Sequence, residues 1–165
     1  MDAASSAVTR AENDADAVAY ASGTLARARD ALNRMQTEAE ARRYDAAKTF
    51  AAEAVSAAEK AIADGKTGAA RTREDAEGLV MGLRGSIPET ESSIRAAKRA
   101  GNLQVDFNAV DRDFETARRT ADQAEVSLAG NNYADAVEKG RTARGMLGDI
   151  DGRLSSAATA ASRKK

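Results

Sequence analysis

The sequence predicts an all-α protein, an antiparallel bundle of long helices built from two duplicated helical hairpins. Three observations carry that prediction. Alanine supplies 40 of the 165 residues and, with Arg, Glu and Lys, makes most of the chain strong helix formers. Apolar residues recur in alternating steps of three and four along nearly the whole length. The breakers are few, one Pro and glycines gathered at a handful of places. Leu, Ile, Val and Phe make up only about 14% of the chain, a level at which disorder competes with folding. A formal net charge of −1 and the helix propensity favour a folded chain with a thin core. Residues 1–165 read as a single helical domain.

The elements follow from the register. From Val8 the apolar positions run through Ala11, Ala15, Val18, Leu25, Ala28, Leu32 and Met35 to Ala39, which predicts one continuous first helix. A second starts at Tyr44 after a soft break at Glu40 to Arg43 and keeps the pattern through Ala47, Ala51, Ala54, Ala58 and Ala61. It either continues to Leu79 and Leu83 or bends at Gly65 and Gly68, each glycine costing about 1 kcal/mol relative to Ala. Ser86-Ile87-Pro88-Glu89 has the composition of a helix start, with Ser86 as cap, Glu89 as its return partner and Pro88 in the first turn. That helix is expected to end at Ala100, with Gly101 in the left-handed position that follows a helix. Asp106 or Asn108 then caps a helix carrying Val110, Phe114, Ala117, Ala121, Ala124 and Leu128. Gly130-Asn131-Asn132 ends it, and the last helix runs from Tyr133 through Ala136, Gly140, Ala143, Leu147, Ile150 and Leu154 to Ala157. Residues 162–165 form a frayed tail.

A shift of 89 residues lays Leu25 on Phe114, Ala28 on Ala117, Met35 on Ala124, Tyr44 on Tyr133, Ala47 on Ala136, Ala54 on Ala143 and Ala61 on Ile150 without a gap. The match crosses the turn, so the repeating unit is a hairpin: one copy at about 5–84, the other at about 87–161. Alanine seams bury little per layer, since a fully buried Leu is worth about 1.5–3 kcal/mol. They let helix axes approach closely instead. Tyr44, Tyr133, Phe50, Phe107 and Phe114 are expected to plug the core. Tyr20 lies off the seam and is the aromatic expected to face a partner. Gly145, Gly148 and Gly152 are read as close-packing positions or a local bend.

Composition excludes several chemistries. With neither His nor Cys there is no thiol or imidazole nucleophile and neither of the usual ligands of structural zinc, haem or iron–sulfur clusters. No catalytic residue, cofactor or metal site is assigned. Asp64-Gly65-Lys66-Thr67 resembles the end of a phosphate-binding loop, but the required first Gly falls at Lys60 and the segment follows a helix instead of a strand. Asp149-Ile150-Asp151-Gly152 lacks the later ligands of a calcium loop. The carboxylate pairs Asp14/Asp16 and Asp111/Asp113 sit two residues apart and diverge on a helix; Glu74/Asp75 completes the set. The basic clusters Arg27/Arg29/Arg34, Arg95/Lys98/Arg99, Arg118/Arg119 and Arg141/Arg144 are flanked by acids at helical spacing, such as Glu91 before Arg95 and Glu115 before Arg119. They read as solvated, ion-paired faces, with no nucleic-acid stripe. No stretch approaches the roughly 18 to 20 continuous apolar residues of a membrane span.

Leu-Ala-Gly-Asn-Asn-Tyr-Ala-Asp-Ala-Val at 128–137 and Ala-Arg-Arg-Tyr-Asp-Ala-Ala at 41–47 resemble the turn and second-helix opening of a tetratricopeptide hairpin. They are also similar to the alanine-rich helical hairpins of bacterial envelope lipoproteins of unknown function. The helices are too long for the roughly 34-residue tetratricopeptide unit and no Pro closes the hairpin, so no functional residue is carried over. The resemblance implies an envelope-associated protein, tethered by a lipid upstream of this segment.

The function expected from these features is a non-enzymatic helical scaffold or adaptor that binds a protein partner or a second copy of itself, with Tyr20 as candidate contact. The alternative is reversible binding of lipid or a small apolar ligand by amphipathic helices, with a pocket near Leu79, Val80, Met81 and Leu83. Met-Asp-Ala-Ala-Ser-Ser has neither a basic n-region nor an apolar h-region. The compartment expected is the periplasm if an export signal was removed and the cytoplasm otherwise.

Overall fold

The computed structural model describes residues 2–101 and 103–163. The elements are α1 (Asp2–Glu12), α2 (Ala15–Tyr20), α3 (Ser22–Glu40), α4 (Tyr44–Ala100), α5 (Phe107–Ala129) and α6 (Tyr133–Ser162), with no strand among the described residues. The protein is all-α, as its composition predicts. It packs as two compact units, Met1–Arg71 and Thr72–Lys165.

In the first unit the continuous helix expected over Val8 to Ala39 is broken twice. Asp14 ends it locally, because its carboxylate accepts from the Ala17 N–H at 2.9 Å and caps a new helix. A second break at Ala21 (φ −129°, ψ 30°) separates α2 from α3. The chain thereby folds α1 back onto α3, where the Arg29 guanidinium meets the Glu12 carboxylate at 2.6 Å. Burial shifts accordingly: Val18 is 49% exposed while Ala17 is fully buried. The core is thin, as expected, since eleven of its fourteen buried residues are Ala and only Val8, Leu25 and Met35 are larger.

Of the two courses open at Gly65 and Gly68 the chain takes the continuous one, and the helix start expected at Ser86 to Glu89 is not made, for α4 passes through both stretches. Gly65 serves packing instead of turning. An added Cβ there would stand 2.5 Å from the Ala17 nitrogen and 2.6 Å from the Asp16 carbonyl carbon, so α2 rests directly on the α4 backbone. Around Pro88 the apolar face of α4 continues without a slip through Ala76, Val80, Leu83, Ile87, Thr90, Ile94 and Ala97. Its burial offsets the roughly 3 kcal/mol that an internal proline costs. Ser86 and Glu89 are therefore interior helical residues and not a capping box.

In the second unit the remainder of α4 packs with α5 and α6 around a bulkier core that includes Leu83, Ile94, Val110, Phe114, Leu147, Ile150 and Leu154. Gly101 takes φ 68° after Ala100, as the sequence predicts; Asn102, the other half of that turn, lies outside the described residues. Asp106 caps α5 by accepting from the Ala109 N–H at 3.1 Å. Thr90, the one buried polar residue among those described, donates its hydroxyl to Asp151 at 2.9 Å. Gly145, Gly148 and Gly152 do not act as packing positions, because a Cβ on any of them would meet nothing within 4 Å, and α6 runs on unbroken. Ser162 closes α6 and Arg163 follows it; the rest of the expected tail, Lys164 and Lys165, lies outside the described residues.

The two hairpin turns coincide at the 89-residue offset. Arg42 (φ 57°) and Asn131 (φ 59°) supply the left-handed residue. The N–H of Arg43 reaches the Glu38 carbonyl at 2.8 Å, and that of Asn132 reaches Ser127 at 2.9 Å, the six-to-one closure of a helix C-terminus. Farther along, Thr24 and Asp64 bridge the first hairpin at 3.1 Å where Asp113 and Arg153 bridge the second at 2.6 Å. Both pairs occupy equivalent positions.

Gly65→Ala is expected to cost about 1–3 kcal/mol through overpacking, whereas Gly145→Ala, on an open helix face, should gain up to about 1 kcal/mol. Urea unfolding of the two variants checks both signs.

Candidate functional site

The best-formed concavity lies in the second unit, between the C-terminal ends of α4 and α6. It is a groove of about 630 Å³ whose floor and walls are Ala96, Ala97, Ala100, Leu103, Leu154, Ala158 and Ala161, with Ser93, Asp151, Ser155 and Ser162 as its polar edge. A second, shallower depression of about 950 Å³ runs along the other side of α6, past Val105, Ala109, Val110, Gly152 and Ala157. Leu154 and Ala157 correspond, at the 89-residue offset, to Gly65 and Gly68 of α4. In the first unit α2 covers that stretch, with Ala17 on Gly65 and Tyr20 on Gly68. In the second unit the counterpart of α2, residues 104–109, is irregular up to Asp106 and then enters α5, and Leu103, Val105 and Phe107 pack against the core that holds the buried Leu154. The two depressions flank the end of α6.

Basic side chains line a separate depression on α4. Arg95, Lys98 and Arg99 gather with Ser92 on the exposed side of α4. Lys98 is held by Asp111 at 2.7 Å and Arg95 by Glu91 at 3.6 Å. Arg99 and, past the end of α6, Arg163 make no ion pair among the described residues. The groove itself is largely apolar, and the charged side chain in its lining is that of Asp151.

The residues singled out from sequence fall as follows. Tyr20 is 37% exposed at the end of α2 and lies across Gly68, outside the groove. Phe114 is buried and Phe50, Phe107 and Tyr133 are half-buried, in keeping with core packing. Tyr44 is not a plug, for it stands 61% exposed. Its counterpart Tyr133 is sheltered beneath Arg73, 5.9 Å from the ring centroid, and Tyr44 has no such cover among the described residues. Val80 and Leu83 are core, whereas Met81 is 73% exposed. Leu79 lines only a charged dip of about 310 Å³ with Glu74, Asp75, Gly78, Arg141 and Arg144.

The carboxylate pairs do not converge on a common point. Asp14 caps α2, Asp111 holds Lys98, Asp113 holds Arg153, and Asp75 lies 3.9 Å from Arg141. Glu115 reaches Arg118 at 3.6 Å, and not Arg119 as the spacing suggested; the Arg119 Nε donates to the Glu115 carbonyl instead. Among the described residues no group of three or more acids is placed to hold a metal ion. Asp64-Gly65-Lys66-Thr67 is helical, with the Thr67 hydroxyl donating to the Ala63 carbonyl at 3.0 Å.

Three carboxyls are held below their ordinary range by surface networks. The Lys139 ammonium, and after it the Ser127 hydroxyl, lower Asp135; Lys60, then Thr24, lower Asp64; the Arg43 guanidinium lowers Glu38. Each network ties the two helices of a hairpin or closes its turn. None lies at the groove.

Fold and groove together describe an all-α protein with an open, largely apolar groove in its second unit. Residues 1–76 match the family described as Domain of unknown function (DUF4398), so the match covers the first compact unit and the opening residues of the second. Comparison with curated proteins and with solved structures gave no match. No helix of the described residues is long and apolar enough to cross a membrane. Leu103 and Ala158, which line the groove, went unnoticed in the sequence.

A carboxyl lowered in the folded state stabilises fully above its unfolded pKa and loses that contribution as pH falls through its folded value. The Tm is therefore expected to fall as pH drops from neutral to below the ordinary carboxylate range. Asp135→Asn should lower the neutral-pH Tm and flatten this acid limb, which melts followed by circular dichroism across that range will show.

Proposed function

We propose that this chain is a non-enzymatic helical adaptor that binds another polypeptide helix, and that the α4–α6 groove is its docking face. The observation that carries the reading is the groove's build. Its alanines admit a helix backbone at close range, and Leu103 and Leu154 offer apolar depth inside an edge of serines and Asp151. The reading is also supported by the thin core, because binding that adds burial to the native state stabilises it by mass action. The similarity of 41–47 and 128–137 to envelope lipoprotein hairpins supports an envelope location. A precursor whose signal sequence ends in Cys just upstream would test that placement.

The docking face is tested by Ala158→p-benzoylphenylalanine, photo-crosslinked in cells of the native host, with the same label at the exposed Thr142 as control. A discrete protein adduct from position 158 and none from position 142 is expected. Adducts from neither position, with the labelled chains folded, would overturn the reading.

A further inference from the structure

We propose that two copies of this chain pair by exchanging their N-terminal arms, α1 with α2, so that each arm lies in the other copy's seat on α3 and α4. Every residue involved lies in the first unit, and the α4–α6 groove plays no part. The arm is doubled back on its own chain. Glu12 and Arg29, placed almost evenly about Ala21, meet at 2.6 Å, so the arm runs antiparallel to α3. Along α4 it runs parallel, with the Asp16–Ala17 peptide on Gly65 and Tyr20 on Gly68. The seat is cut for this segment, since a Cβ on Gly65 would stand 2.5 Å from the Ala17 nitrogen. The whole reversal is made at one residue, Ala21 (φ −129°, ψ 30°).

Three features of that joint favour its opening into a straight helix. Buried residues keep helical step through it, because Ala17, Ala21, Leu25 and Ala28 follow at intervals of four, four and three. One continuous helix therefore carries them on a single stripe. α3 begins without a side-chain cap, and its first-turn N–H groups gain the carbonyls of α2 when the two helices join. Ser22 and Gly23 are exposed, and a Cβ on Gly23 would meet nothing within 4 Å. Two straightened copies, antiparallel and crossing near Ala21, place arm in seat twice, a closed two-fold pair that grows no further. The arm's contacts are the same in both states: Ala4, Ala7, Val8, Ala11 and Ala17 stay buried and Gly65 stays covered. Only the joint differs, and short joints invite such exchange. A short tether holds its own segment at an effective concentration of about millimolar, so pairing is expected from about 0.1 to 1 mM.

Substitutions at position 23 pull the two states apart. Gly23→Pro fits the first turn of α3 but clashes with the Ala19 carbonyl in a continuous helix, and should weaken pairing at least about a hundredfold. Gly23→Ala, a better interior helix former, should strengthen it several-fold. Whole chains are refolded from urea at about 1 mM and sized by light scattering, with circular dichroism confirming that each variant folds. A wild-type chain that stays monomeric overturns the proposal, as does a dimer equally populated in Gly23→Pro. The exchange itself is read by crosslinking, which the absence of native Cys makes specific. Glu12→Cys chains are refolded together with Arg29→Cys chains and treated with a short bismaleimide. A covalent pair of one chain of each kind is expected, and its loss when both chains also carry Gly23→Pro. A dimer that gives no such crosslink is joined by another surface and overturns arm exchange. The groove reading stands or falls separately, on the adduct from position 158.

Discussion

Close approach of helices through small side chains is the constraint on which the rest of this structure depends. Where a Leu would hold two helices apart, Ala and Gly bring their backbones near enough for dispersion contact along the whole seam. Gly65 shows the limit of this, with the α2 backbone standing where its Cβ would be. Gly140 shows a milder case, since a Cβ there would press to 3.2 Å on the Cβ of Leu79. A core made in this way gains little from each residue. It needs long helices, which explains why α4 does not stop at its glycines or at Pro88.

The charges do not supply what the core lacks. Most of the thirteen ion pairs among the described residues lie on exposed side chains, where such pairs contribute about 0–1 kcal/mol each. Their value is geometric. Thr24 with Asp64, and Asp113 with Arg153, bridge the two hairpins at equivalent positions, and the Glu38–Arg43 pair and the Ser127–Asp135–Lys139 cluster hold the turn ends.

Much of the fold was legible in periodicity. The hairpin pairing, the end of α4 at Gly101, the start of α5 near Asp106 and the turn at Gly130 to Asn132 all follow from register and turn chemistry. Periodicity misled in two opposite ways. It joined α1 to α3, because Ala11, Ala15 and Val18 keep step across a break that one Asp side chain makes through a local hydrogen bond. It also divided α4, because Gly and Pro are scored as breakers wherever they stand. The groove was not legible at all, for alanines read the same on a buried seam and on an open floor.

Helix type, seam composition, the 89-residue hairpin repeat and the lack of imidazole or thiol chemistry were determined by the sequence alone, because each depends only on residue identity and local spacing. Tertiary structure alone decided which alanines are buried, that Gly65 is a contact and not a turn, and that the segment after Gly101 packs on the core through Leu103 and Val105 where its counterpart α2 packs as a helix. The physical reason is that a methyl group carries almost no information about its neighbours. Packing, and not composition, settles whether an alanine seam is closed by the chain itself or left open.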